Sequence, residues 1–152
     1  MSESLSPRQV IERLLDGISN QRWQELHHLY AEDSVVEYPF ALPAATQLKG
    51  REAIRAYFAG VASYPLELRA RDVVMHETAD PETLVVEWTY DGLVTTTRRS
   101  FQVTNIQVST VRDGRIVASR DYHNHVALAN AVGRLPALFS ALTNAGQKTD
   151  SA

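Results

Sequence analysis

The apolar positions of the chain change period partway along. Near the start, Val10, Ile11, Leu14, Leu15 and Ile18 form one stripe at helical spacing. Ser6, Pro7 and Gln9 precede that stripe as a cap, a first-turn proline and the partner of a capping box. Ser19-Asn20 breaks it, and Trp23, Leu26, Leu29 and Tyr30 predict a second, short helix. Residues 34–38 read as a strand that Pro39 stops, and 40–50 as a loop containing Pro43. Residues 51–62 are a third helix, with Ile54, Tyr57, Phe58 and Val61 inward. Beyond this point Val, Thr, Ile and aromatic residues dominate, and the pattern predicts strands over 66–77, 83–91, 99–112 and 115–123. Ala79-Asp80-Pro81-Glu82 and Arg112-Asp113-Gly114-Arg115 are the turns, the second a strong hairpin signal, and Asp91-Gly92 is read as the start of a longer connection. A last apolar helix spans 126–142, interrupted near Gly133 and Pro136.

Helices first and a strand meander later predict an α+β fold. The expected architecture is a cone-shaped α+β barrel: three N-terminal helices on one strongly bent antiparallel sheet, with an extra C-terminal helix. Long strands imply bulges where the sheet bends. The 152 residues favour one domain, placed at 6–143, with disordered segments at 1–5 and 144–152. Apolar residues make up 44% of the chain, enough for a sizeable core. The net charge of −3 and the lack of a basic stripe argue against nucleic acid as a partner. With no cysteine, disulfides and thiolate chemistry are excluded. The polar stretch 1–7 carries no apolar leader, and no apolar run approaches the ~20 residues of a bilayer span, so the expected location is cytoplasmic, away from membranes.

Three segments carry a resemblance: Tyr30-Ala31-Glu32-Asp33-Ser34-Val35-Val36-Glu37-Tyr38-Pro39-Phe40, then Lys49-Gly50-Arg51-Glu52-Ala53-Ile54, then Asp113-Gly114-Arg115-Ile116 running into Ser119-Arg120-Asp121-Tyr122. Together and in this order they resemble the SnoaL-like branch of the nuclear transport factor 2-like superfamily, over roughly residues 6 to 143. The resemblance implies the cone-shaped fold, an internal pocket and a homodimer. Its relatives include ketosteroid isomerase, limonene epoxide hydrolase and polyketide cyclases, as well as members without catalysis, so fold does not settle function. Ketosteroid isomerase's basic aspartate falls on Tyr38 and its oxyanion tyrosine on Leu14. The water-activating aspartate of limonene epoxide hydrolase falls on Asp121, while its other polar groups fall near Trp88, Tyr90 and Tyr38.

Asp121 and His123 stand two apart on the last strand and so share a face. If that face is the pocket, the pair suits general acid–base work; otherwise Asp121 pairs with an arginine or His123 sits at a rim. Tyr38 either fills core or donates a hydrogen bond to a substrate oxygen. Tyr57, Phe58, Trp88, Tyr90, Phe40 and Leu14 are the candidate substrate-binding residues. Asn105 and Gln107 alternate with Thr104, Ile106 and Val108, and the sequence leaves open which set faces inward. Asp121, His123 and His125 alternate as metal ligands would, but His125 is expected to begin the last helix, so no metal is assigned. No phosphate loop, nucleophile elbow or zinc motif is present. The expectation is a cofactor-independent isomerase, cyclase, dehydratase or hydrolase acting on an apolar oxygenated small molecule. The alternative is a non-catalytic small-molecule binder or pathway accessory protein.

Overall fold

The computed structural model describes residues 3–150, with side chains through residue 146. Helix α1 (Pro7–Ser19) begins with the expected capping box: Gln9 N donates to Ser6 Oγ, and Ser6 N donates to Gln9 Oε1 at 2.9 Å. Its apolar stripe is buried. The predicted second helix is a single 3-10 turn, Leu26–Leu29, and Tyr30 already belongs to β1 (Tyr30–Tyr38). Gln21 accounts for the shortfall. Its backbone turns to φ 56°, and its side chain bonds both the N–H and the C=O of Leu68, which pins the connection to a strand.

The segment read as a loop at 40–50 contains a short edge strand, β2 (Thr46–Lys49), paired antiparallel to β1. Helix α2 (Arg51–Ala62) follows, then β3 (Leu66–Glu77), β4 (Thr83–Val94), β5 (Arg99–Arg112) and β6 (Arg115–Tyr122). Both hairpin turns lie where the sequence put them. Strand β4 runs through Asp91-Gly92 rather than ending there, because Gly92 leaves room for the Phe101 ring of β5 directly opposite it. The last helix divides at Gly133 (φ 74°) into α3 (His125–Ala131) and α4 (Leu135–Asp150). Thus 144–150, expected to be disordered, continue as helix, and Leu5 packs against the core. The ends of both expected disordered segments, 1–2 and 151–152, lie outside the described residues.

The six strands lie in the order β2-β1-β6-β5-β4-β3. The sheet is mixed rather than antiparallel, because β1 pairs parallel to β6, and it does not close. Adjacent hairpins are legible in a sequence; a parallel pair joining residues 30–38 to 116–120 is not. The α1 stripe, together with Ile54 and Phe58 of α2, packs on the inner face. On β4 every second residue from Leu84 to Val94 is buried. On β5 the inward set is Val103, Asn105, Gln107, Ser109 and Val111, which settles the open choice there.

One irregularity sets the polarity of β6. Val111 pairs with Ile116 but Thr110 pairs with Ala118, so Val117 is an extra residue. Below the bulge Ile116 points inward; above it Ser119 and Asp121 do. Without the bulge the alternation begun by Ile116 would turn Asp121 outward, since a one-residue slip exchanges the faces of a strand.

A Cβ at position 92 would overlap the Phe101 ring. Gly92→Ala is therefore expected to cost about 1–3 kcal/mol of stability through forced repacking, as read by urea denaturation. An unchanged midpoint would show that Phe101 moves freely.

Candidate active site

Between the sheet's inner face and helices α1, α2 and α3 lies a partly open chamber of about 390 Å³, within the ordinary range for small-molecule sites. Its wall is mostly apolar. Leu14 and Ile18 come from α1, Ile54 and Phe58 from α2, and Leu128 and Val132 from the C-terminal segment. Of the candidate binding residues, Leu14, Tyr57, Phe58, Trp88 and Tyr90 line it. Phe40 does not. It is 64% exposed and packs against Tyr122, whose parity on β6 is opposite to that of Asp121, so Pro39 carries the chain away from the site before Phe40.

Asp121, His123 and Tyr38, the candidate catalytic residues, all line the chamber. Asp121 is only 6% exposed. Among the described residues it forms no salt bridge, so the alternative of an arginine partner falls away. Instead, Ser119 Oγ donates to Asp121 Oδ1 at 2.6 Å. Ser119 lies 3.1 Å from Ser109 Oγ, and Gln107 Nε2 donates to Ser109 Oγ at 2.7 Å. A hydroxyl carries one hydrogen. Ser119 spends its own on Asp121, so Ser109 must donate to Ser119. The chain therefore runs one way, from Gln107 through both serines to the carboxylate. It follows from strand register: Gln107 is paired with Asp121, and Ser109 with Ser119. Sequence reasoning overlooked both serines. The signal it could have used is the pairing of two alternating polar runs, Asn105-x-Gln107-x-Ser109 and Ser119-x-Asp121, across the predicted hairpin.

Burial pushes the Asp121 carboxyl up to about 7, with the Ser119 bond acting in the opposite direction. Burial pushes His123 down to about 4, and His125 nearby adds to the shift. The ordinary order of these two groups is inverted: near neutrality the imidazole is neutral and the carboxyl is the group that gains and loses the proton. The two do not hydrogen-bond to each other. His123 instead stands beside Tyr38, ring centroids 5.7 Å apart, with His125 at 5.9 Å. His125 opens α3 as expected. Among the described residues, no cluster of three His, Cys, Asp or Glu side chains is placed to hold a metal.

Tyrosines surround the carboxyl. Burial raises the phenols of Tyr30, Tyr38, Tyr57 and Tyr90, and the Asp121 charge adds to the rise in each. Tyr30 is a further chamber residue, hidden from sequence reasoning by its assignment to a helix. Trp88 and Asn105, paired across β4 and β5, also line the chamber, and neither Trp88 Nε1 nor Asn105 Nδ2 has a hydrogen-bond partner.

Asp121 ties stability to pH. Folded Asp121 keeps its proton to about pH 7, whereas the unfolded chain releases it near 3.8. Its contribution is thus fully present below pH 3.8 and lost as pH rises through 7. His123 acts oppositely: its contribution is present above 6.5 and lost as pH falls through about 4. Asp121→Asn isolates the first effect. Relative to the wild type, the variant is expected to gain up to about 4 kcal/mol between pH 4 and pH 8. Urea unfolding at both pH values measures it, and a pH-independent difference would refute a buried, up-shifted carboxyl.

Known proteins share this arrangement of elements. An uncharacterised PhzA/B-like protein of Pseudomonas aeruginosa is 33% identical over 126 residues, covering 82% of this chain and 86% of the relative. A Bacillus subtilis crystal structure provisionally named an isomerase has a TM-score of 0.77 at 25% identity, over 84% of this chain and 93% of that one. A Pseudomonas putida structure provisionally named a polyketide cyclase has a TM-score of 0.70 at 14% identity, over 85% of this chain and 99% of that one, a likeness of fold. The model of the SnoaL-like domain matches residues 11–119, and with that span covering most of α1 through β6, the chain belongs to the SnoaL-like domain family.

Proposed function

We propose that the protein is a cofactor-independent enzyme that moves a proton on a small, largely apolar, oxygenated molecule, with Asp121 as the acid–base group. The observation that carries this reading is a carboxyl buried in an apolar chamber, pushed up to about 7 and held by a one-way hydrogen-bond chain. A group that titrates near neutrality serves as base on one side of its pKa and as acid on the other, and such proton transfer contributes typically ~10²–10⁴-fold. Neutral His123 accepts or relays a hydrogen bond, and Tyr38 donates to oxygen where negative charge develops. Isomerisation, cyclisation, dehydration and hydrolysis all use such a set. The name given to the Bacillus subtilis relative lends weight to isomerisation.

A binding-only protein is the second reading. It draws on the mostly apolar chamber wall, in which Trp88 and Tyr90 occupy the region where the hydrolase pattern carries charged groups. One measurement separates the two readings. Cyclic ketones and epoxides are incubated with the protein in deuterated water and followed by mass spectrometry. The wild type is expected to introduce deuterium or convert the compound, with a pH midpoint near 7. Asp121→Asn, still folded, is expected to lose at least ~10²-fold of that rate. Equal rates in the two proteins would sink the enzymatic reading.

A homodimer is part of the proposal. Val74, Glu87, Ile106 and Tyr122 fall in one cross-strand row on the outer face, and Phe40 packs on Tyr122. Val74 and Ile106 are 48% and 38% exposed, the kind of apolar surface that a two-fold contact covers. Light scattering is expected to give twice the chain mass for the wild type and the single-chain mass for Val74→Glu. A wild-type monomer at every concentration would overturn it. No helix among the described residues is long and apolar enough to cross a membrane, and a cytoplasmic location remains part of the same proposal.

A further inference from the structure

Two buried donors in the chamber lack acceptors. Trp88 is 2% exposed and Asn105 1%, yet Trp88 Nε1 and Asn105 Nδ2 are both without a hydrogen-bond partner. They are direct partners across β4 and β5, so their side chains leave the sheet side by side. The Tyr90 ring stands edge-on to Trp88, 5.6 Å between centroids; the indole N–H is near enough to the Tyr90 hydroxyl to oppose the burial-driven rise of that phenol, yet Trp88 Nε1 has no acceptor within full hydrogen-bond geometry. Leaving a buried donor unpaired costs about 1–3 kcal/mol. Two such donors converging on one cavity are a site that a ligand completes.

We infer that Trp88 and Asn105 form a subsite for a bare acceptor oxygen of the ligand: a ketone, ester, epoxide or ether oxygen rather than a hydroxyl donor. An indole N–H can only donate, which selects for the acceptor. The inference rests on reading the chamber as a ligand site and adds the ligand's polarity and length. Asn105 lies two residues from Gln107 on β5, and Gln107 is opposite Asp121. The acceptor subsite therefore sits about 7 Å from the carboxyl along the strands and one to two strand spacings, about 5–10 Å, to the side. A fused-ring frame spans much of that gap, with its acceptor toward one end and its reacting atom toward the other.

The test uses the full chain and a matched pair of probes: 1-tetralone, which carries a ketone, and tetralin, the same hydrocarbon frame without oxygen. Two-dimensional 1H–15N spectra give two indole signals, since the chain has two tryptophans, and Trp88→Phe assigns them. 1-Tetralone is expected to bind roughly tenfold more tightly than tetralin and to move the Trp88 N–H signal further downfield than tetralin does, while the Trp23 signal, from the same chamber wall, responds alike to both probes. In Trp88→Phe and Asn105→Leu, the ratio of 1-tetralone to tetralin affinity, taken within each variant so that any change in the shared hydrocarbon fit cancels, should fall to about one- to threefold. Equal binding of both probes, with the Trp88 signal responding alike to the two, overturns the donor pair while the chamber reading survives. Failure of both probes to perturb any chamber signal overturns the chamber reading, and this inference with it.

Discussion

A carboxyl group enclosed by apolar and aromatic side chains is unstable as an ion unless something holds it. In this protein the holding is done by the sheet. Asp121 accepts from Ser119, Ser119 from Ser109, and Ser109 from Gln107, each on an inward position of β5 or β6. The chain of donors supports the ionised form; the greasy surroundings oppose it. Burial is the larger influence, so the group settles near neutrality, between a solvated carboxylate and a permanently protonated acid. Further donors to the carboxyl would draw its pKa down, and loss of the Ser119 bond would let burial raise it further.

That balance depends on backbone geometry before it depends on side chains. The extra residue at Val117 reverses the alternation of β6 between Ile116 and Ser119. Ile116 can therefore face the core at one end of the strand while Ser119 and Asp121 face the chamber at the other. Parallel pairing with β1 then brings Tyr38 to the same end, because Glu37 is opposite Arg120 and the next residue on β1 lies beside Asp121. Tyr38 and Asp121 share one wall through register alone.

Much of this was legible in the sequence. The capping box of α1, the boundaries of β3 and β5 and the Asp113-Gly114 turn follow from period and turn chemistry, and the inward placement of Trp88 and Tyr90 was implied by the family resemblance. Asp121 and His123 were found because alternate residues share a face. What escaped the sequence is non-local. Strand β2 has a mixed, largely exposed pattern and exists because β1 offers it an edge. The continuation of β4 through Gly92 depends on Phe101 of the neighbouring strand. The polar chain needs the register of two strands at once, and Phe40 was misplaced because no periodicity survives past Pro39. Serines at alternate positions read as ordinary strand residues until their cross-strand partners are known.

The division of labour in the chamber follows. The chamber's apolar wall is shared by helices and sheet: Leu14, Ile54, Phe58 and Leu128 come from the helices and Val36, Leu68, Trp88 and Tyr90 from the strands, and together they govern the size and shape of what enters. Its hydrogen-bonding groups come largely from the sheet, on strands whose pairing constrains their spacing. A helix side chain that changes volume leaves the three donors in the chain in place, but it changes how deeply the carboxyl is buried, which is the larger influence on Asp121. A sheet residue has less freedom: exchanging Ser109 alters the charge balance two hydrogen bonds away. Substitutions on the helical wall therefore reshape the chamber and shift the carboxyl through its burial, whereas strand substitutions act on it through the hydrogen-bond chain.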